Sequence, residues 1–127
     1  MFCSYEPSKL KASQHQLGKD AEHLAASYLQ RKGFSIVARN YRYKRAEIDI
    51  IAQKGACLLF IEVKARTSNR FGYPEEFVFP AKQALLREAA ENYIIAHDWN
   101  QAIRFDIIAV LQRNGKAQIM HFEDAFY

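Results

Sequence analysis

The sequence predicts an α/β protein: one mixed β-sheet flanked by helices, with its elements in the order αβββαββ. Three observations lead there. Residues 13–32 and 81–97 carry apolar side chains at helical spacing, whereas the segments between and after them alternate or run apolar as strands do. Turn clusters at 53–56 and at Asn114-Gly115 each divide two strand-like runs, which marks two hairpins. Strand runs interrupted by helices bury their apolar faces as a sheet with helices packed on it.

The 127 residues suffice for one modest core, so residues 13–127 are expected to form a single domain behind a loose, slightly basic arm at residues 1–12. Ser13, with Gln16 three residues on, reads as a capping box opening a helix to about Lys32, which Gly33 ends. Leu17, Ala21, Leu24, Ala25, Tyr28 and Leu29 form its apolar stripe. At about 100° per residue, Glu22 falls about 20° beyond Leu29, at the edge of that stripe. Its carboxylate faces the core boundary or reaches out to water.

Phe34–Tyr41 reads as the first strand. From Glu47 the chain alternates, with Glu47, Asp49 and Ile51 on one face and Ile48, Ile50 and Ala52 on the other. From Leu58 it alternates again, with Leu58, Phe60, Glu62, Lys64 and Arg66 against Leu59, Ile61, Val63 and Ala65. A two-residue loop at Gly55-Ala56 sets Asp49 opposite Glu62 and Glu47 opposite Lys64. A loop at Lys54-Gly55 sets Glu47 opposite Glu62 instead. Both registers keep the four polar groups on one face, and only a bulge or an odd-length loop would part them.

The stretch TSNRFGYPEEFVF, punctuated by Gly72 and Pro74, reads as a connection. Pro80 then opens a second helix, about Ala81 to His97, with Leu85, Leu86, Ala89, Ala90, Tyr93 and Ile94 as its apolar face. Ile103–Gln112 is a fourth strand, and KAQIMHF after Asn114-Gly115 a fifth.

Half the residues are apolar and a quarter charged, as in an ordinary globular protein. No apolar run reaches the length of a membrane span, and the N-terminal stretch lacks the apolar region of a secretory signal. Two widely separated cysteines, Cys3 and Cys57, point to a reducing cytoplasm. A net charge of +4 and a pI near 9.1 are compatible with a polyanionic partner. The cations concentrate in RNYRYKR, residues 39–45, and in Lys64, Arg66 and Arg70; the alternative is solvated strand ends.

Glu47, Asp49, Glu62 and Lys64 interrupt runs that otherwise read as buried strands, where isolated charges are costly unless paired or bound to metal. Opposed carboxylates repel unless a cation sits between them. Mg²⁺ takes oxygen ligands, often one or two carboxylates with waters and substrate phosphates, which suits Asp49 and Glu62. The Val63 carbonyl is a further candidate ligand, and Glu22 another if the first helix packs beside this end of the hairpin. Lys64 projects about 6.6 Å beyond Glu62 on the same face, where an ammonium orients a water or counters phosphate charge. The structural alternative is an ion-pair ladder in which Lys64 neutralises Glu47. Asp106 in RFD reads as a partner of Arg104 or of a loop. Tyr41 and Tyr43 either stack on bases or pack in the core. The four histidines show no ligand spacing.

An Asp followed about a dozen residues later by Glu-x-Lys, on consecutive strands after an acidic helix, resembles the PD-(D/E)xK nuclease superfamily. AEIDIIA, LLFIEVKARTSNRFGYP, Lys82, RFDIIAV and the terminal HFEDAFY together resemble the YraN-like family of predicted endonucleases, distantly similar to archaeal Holliday-junction resolvases. The resemblance implies a restriction-endonuclease-like fold and Mg²⁺- or Mn²⁺-dependent cleavage of DNA, including branched DNA. It implies metal binding by Asp49 and Glu62, Lys64 as catalytic lysine, and Glu22 as the acidic helix residue beside the metal. Ala46 and Ala21 stand where the family usually carries Gly, and neither change removes a ligand. Lys44, Arg45, Arg66, Arg70 and Lys82 are the candidate phosphate contacts, with Lys82 beside a helix N-terminus, and Glu47 is a secondary site candidate. Symmetrical cutting of a junction would need a two-fold homodimer. A non-cleaving nucleic-acid-binding module on the same fold is the alternative.

Overall fold

A computed structural model describes residues 14–66 and 78–126, with the side chains of Gln14 and His15 excepted. The expected arm, the Ser13 cap and Arg70 lie outside the described residues.

The elements are α1 (Gln14–Arg31), β1 (Ser35–Tyr43), β2 (Ala46–Lys54), β3 (Cys57–Arg66), α2 (Pro80–Ala96), β4 (Ala102–Arg113) and β5 (Lys116–Phe126). Gly33 ends α1 with a φ of 92°, and the amides of Gly33 and Phe34 bond back to the carbonyls of Gln30 and Leu29. This double return is the glycine-dependent helix stop expected there. Asp98, with φ at 51°, closes α2 the same way, its amide and that of Trp99 bonding to Ile95 and Ile94.

The five strands lie in the order β1-β2-β3-β4-β5. Three neighbouring pairs are antiparallel; β3 and β4 are parallel, joined by the crossover that contains α2. Pairing of β2 with β3 runs from Lys54↔Cys57 to Ile50↔Ile61, the register set by a Gly55-Ala56 turn, and Gly55 has the required positive φ of 59°. β1 continues to Tyr43, two residues past the expected end, because Lys44 (φ 55°) and Arg45 make a second tight turn that pairs Tyr43 with Ala46. β5 likewise runs on to Phe126 through a register shift opposite Phe105–Ile107.

Helix α1 covers one sheet face, where Ala21, Ala25 and Leu29 pack with Ile50, Ala52, Leu59, Ile61, Ile108 and Val110. Helix α2 covers the other, with Leu86, Ala89, Ala90 and Tyr93 against Ile48, Ile51, Phe60, Phe105 and Ile107. These two sets correct the expected alternation of β2. Ile48 and Ile51 share the α2 side, and Ile50 and Ala52 the α1 side, so the alternation slips at Asp49. β1 slips at the same level: Ala38 and Tyr41 both pack on the α2 side, and Asn40 between them has a φ of 53°. Asn is one of the few residues that adopts this conformation readily. Ladder pairs stand on either side, Arg39↔Ile50 and Tyr41↔Ile48, with none at Asn40 and Asp49. The four strand charges therefore do not share a single face.

Candidate metal-binding active site

The site lies where β2 and β3 part. Their ladder stops at Ile50↔Ile61, one residue short of Asp49 and Glu62. There the Val63 amide donates to Asp49 Oδ2 at 2.8 Å. Since both polar groups of a strand residue point towards the same neighbour, the Val63 carbonyl faces the same opening.

Glu62 is only 4% exposed. Among the described residues its Oε2 accepts no hydrogen bond of regular geometry and instead meets two ammonium groups, Lys82 of α2 in close contact and Lys64 at 3.6 Å. Burial pushes Asp49 up to about 9, assisted by its hydrogen bond with Glu62 and by that residue's charge. Burial opposes ionisation of Glu62 too, but the Asp49 hydrogen bond and the charges of Lys82 and Lys64 outweigh it and hold Glu62 below the usual carboxylate range. The pair thus titrates as a unit, with Asp49 favouring its protonated form and Glu62 its ionised form. Burial and the nearby charges of Lys82 and Arg66 lower Lys64, against the pull of Glu62.

A second acidic group adjoins the first. Carboxylate oxygens of Glu22, Glu47 and Asp49 lie within 4.8 Å of one another. Asn40 Nδ2 ties this group together, donating to Glu22 Oε1 at 2.9 Å and to Glu47 Oε2 at 3.1 Å, while Arg42 pairs with Glu47 at 2.9 Å. The donor set fits a hard divalent cation: the Glu22, Glu47 and Asp49 carboxylates converge, with Glu62 adjoining them through its hydrogen bond to Asp49.

The profile described as "Uncharacterised protein family UPF0102" matches residues 21–110, most of the chain and all of this site. The chain belongs to the UPF0102 family. A UPF0102 protein of Flavobacterium psychrophilum is 50% identical over 116 residues, covering 91% of this chain and 98% of its own. One from Chlorobium phaeobacteroides is 44% identical, covering 92% and 98%, and one from Christiangramia forsetii 40% identical, covering 91% and 98%. This agrees with the YraN-like resemblance of the sequence.

In this UPF0102 chain, Asp49, Glu62, Lys64 and Val63 come together as the hairpin register requires, and α1 brings Glu22 beside Glu47 and Asp49. The alternative, an ion pair of Lys64 with Glu47, does not form: Glu47 is held by Arg42 and Asn40, and Lys64 by Glu62. Lys82 lies on Glu62, inside the site. Lys44 pairs with Glu88 of α2 at 3.2 Å, Arg45 occupies the β1–β2 turn, and Arg66 donates to the Ala65 carbonyl at 2.8 Å. Tyr41 packs edge-on to Tyr93 and bonds Asn92, which makes it a core residue. Asn40 was not singled out in the sequence; an Asn inside a strand-like run was its only signal.

Among the described residues, no helix is long and apolar enough to cross a membrane.

Proposed function

We propose that the protein is a metal-dependent endonuclease acting on DNA phosphodiesters, on a restriction-endonuclease-like fold of the PD-(D/E)xK type. The observation that carries this reading is the meeting of Asp49 and Glu62 at the opening of the β2–β3 ladder, with Lys64 at 3.6 Å from Glu62. Asp49, Glu62 and the Val63 carbonyl would hold Mg²⁺ or Mn²⁺, with Glu22 at the margin. Such an ion supplies Lewis-acid polarisation of the phosphoryl oxygens and lowers the pKa of water. Binding requires Asp49 to give up its proton. Lys64, half-buried beside Glu62, would orient the attacking water and counter the charge that develops on the phosphate. The water oxygen forms a bond to phosphorus as the bond to the leaving sugar oxygen breaks in line. Lys44, Arg45 and Arg66, with Arg70, grip the backbone in a salt-dependent way. A branched, junction-type substrate cut symmetrically calls for a two-fold homodimer, and the setting is the cytoplasm.

A second reading, a nucleic-acid-binding module that no longer cleaves, draws on Lys82: its ammonium already satisfies Glu62 as a metal would. One experiment separates the two. Mg²⁺ and Mn²⁺ are titrated into wild type and Glu62→Gln, each incubated with a four-way junction and a matched linear duplex. Metal-dependent cutting that Glu62→Gln abolishes is the expected result. DNA binding without metal dependence, unchanged in Lys64→Ala, would replace the nuclease with the binding module.

A further inference from the structure

A second concavity, about 340 Å³ in volume, opens at the other end of β3. Cys57 in its lining lies about 16 Å along the strand from Glu62. Besides β3, four stretches converge on it: Lys32 and Phe34 after α1, Lys54 at the end of β2, Arg104 of β4, and His121 and Glu123 of β5.

Its back wall is rigid. Asp106 is fully buried and accepts from Arg104 Nε and Nη2, both at 2.9 Å, and from the Asp124 amide at 3.0 Å. His121 Nε2 lies 2.7 Å from the same carboxylate and therefore carries its hydrogen there, which leaves Nδ1 to accept from the Tyr28 hydroxyl at 2.9 Å. Both nitrogens of His121 are thus spent on the wall. Arg104 Nη2 also reaches Glu123 at 3.1 Å, and among the described residues Nη1 meets no acceptor.

The rim is cationic and poorly neutralised. Lys54 Nζ donates to the Lys32 carbonyl at 3.0 Å and lies 5.4 Å from the centre of the Phe34 ring. Lys32 Nζ stands 3.4 Å from the Tyr28 hydroxyl. Among the described residues neither ammonium has a carboxylate within ion-pair distance, whereas Arg104 has two. The positive surplus therefore sits on Lys32 and Lys54, at the mouth of a preorganised cavity. Ordering these groups beforehand lowers the cost of binding. The volume is at the lower end of pockets that enclose small organic ligands. A site walled by several chain segments admits the end of a phosphate-bearing molecule more readily than the middle of a continuous backbone.

We propose that this cavity binds a phosphomonoester, the terminal phosphate of a mononucleotide or of a nucleic-acid 5′ end, with Lys32 and Lys54 receiving the dianion and Arg104 Nη1 as a directed donor. The site stands apart from the acidic cluster and does not depend on the nuclease reading.

The test is calorimetric titration of the full-length protein in EDTA, so that no metal takes part. The probes are a nucleoside 5′-monophosphate, the parent nucleoside, and one duplex with and without a 5′-phosphate. Wild type should bind the monophosphate at least tenfold more tightly than the nucleoside. Lys32→Gln and the Lys32→Gln/Lys54→Gln double variant should lose that preference, and Lys32→Arg should retain it. Among the described residues the Lys32 ammonium makes no backbone hydrogen bond, so the single variant serves even if loss of the Lys54 bond impairs folding. A duplex that competes with the monophosphate only when 5′-phosphorylated assigns the nucleic-acid end; a duplex that never competes assigns the free mononucleotide. Equal binding of nucleoside and monophosphate, or a preference undiminished by both Gln variants, overturns the proposal.

Discussion

Val63 gives its amide hydrogen to the side chain of Asp49, at 2.8 Å from Oδ2. Continued pairing would have sent that hydrogen to a main-chain carbonyl of β2. The carboxylate thus acts as a wedge, ending the ladder and holding open the gap that Glu62 enters. An acidic residue here is built into the sheet and cannot be exchanged without consequence for either its chemistry or its neighbours.

Metal-free stability should depend on pH through this pair. A carboxyl raised to about 9 in the folded protein keeps a proton that the unfolded chain releases near 4. Its contribution is full below that lower value and is lost as pH rises through about 9. Glu62, held low, works in the opposite sense only in the acid range. Urea denaturation in EDTA should therefore show stability falling between pH 5 and 9, with a slope of up to about 1.4 kcal/mol per pH unit. Asp49→Asn should flatten that slope; an unchanged slope would show that Asp49 is not the proton's seat.

Lys82 and a divalent cation compete for Glu62. Lys82→Ala should tighten Mg²⁺ binding several-fold in calorimetry, by leaving the carboxylate with only Lys64 as counter-charge, among the described residues, until metal arrives. Weaker or unaltered metal binding in Lys82→Ala would place the ion elsewhere.

Asn40 serves the backbone and the acidic group together. Asn40→Gly keeps access to a φ of 53° but removes the amide held between Glu22 and Glu47. Asn40→Ala loses both. Thermal or urea unfolding should show the Ala variant less stable than the Gly variant by about 1 kcal/mol. Both variants should bind metal more weakly than wild type.

Asp106 is structural. Asp106→Ala leaves Arg104 and His121 without their buried acceptor and should cost about 3–5 kcal/mol in denaturant titrations. The metal-induced rise in melting temperature should survive wherever the variant still folds, since the two sites share no residue.

Much of this was legible beforehand because it rests on local rules. The Gly55-Ala56 turn and the two-residue period of β3 suffice to bring Asp49 and Glu62 together, and Gly33 ends α1 where its conformational freedom predicts. Alternation of side chains along β2 was the weaker guide. It fails at Asp49 because β1 and β2 slip together at Asn40, a cooperative irregularity that neither strand announces alone. The Tyr43–Ala46 turn was missed because Lys44 and Arg45 lack the Gly that marks such turns, and the end of β5 because the acidic residues at 123 and 124 break the apolar pattern of a strand. Lys82 read as a phosphate contact beside a helix N-terminus, and its place on Glu62 was not legible because a helix's first turn says nothing about what lies beneath it.

The two-residue turn between β2 and β3 also sets the order of assembly. A hairpin this tight zips on a scale of about 1–10 μs, whereas the parallel joining of β3 to β4 waits for the whole crossover carrying α2 and Lys82. The nascent hairpin should therefore bring its two acids together before Lys82 and the covering helix arrive. Divalent cations present at that moment should quicken the folding limb of a chevron more than they slow the unfolding limb. The ion would then assist in building the molecule before it serves any reaction.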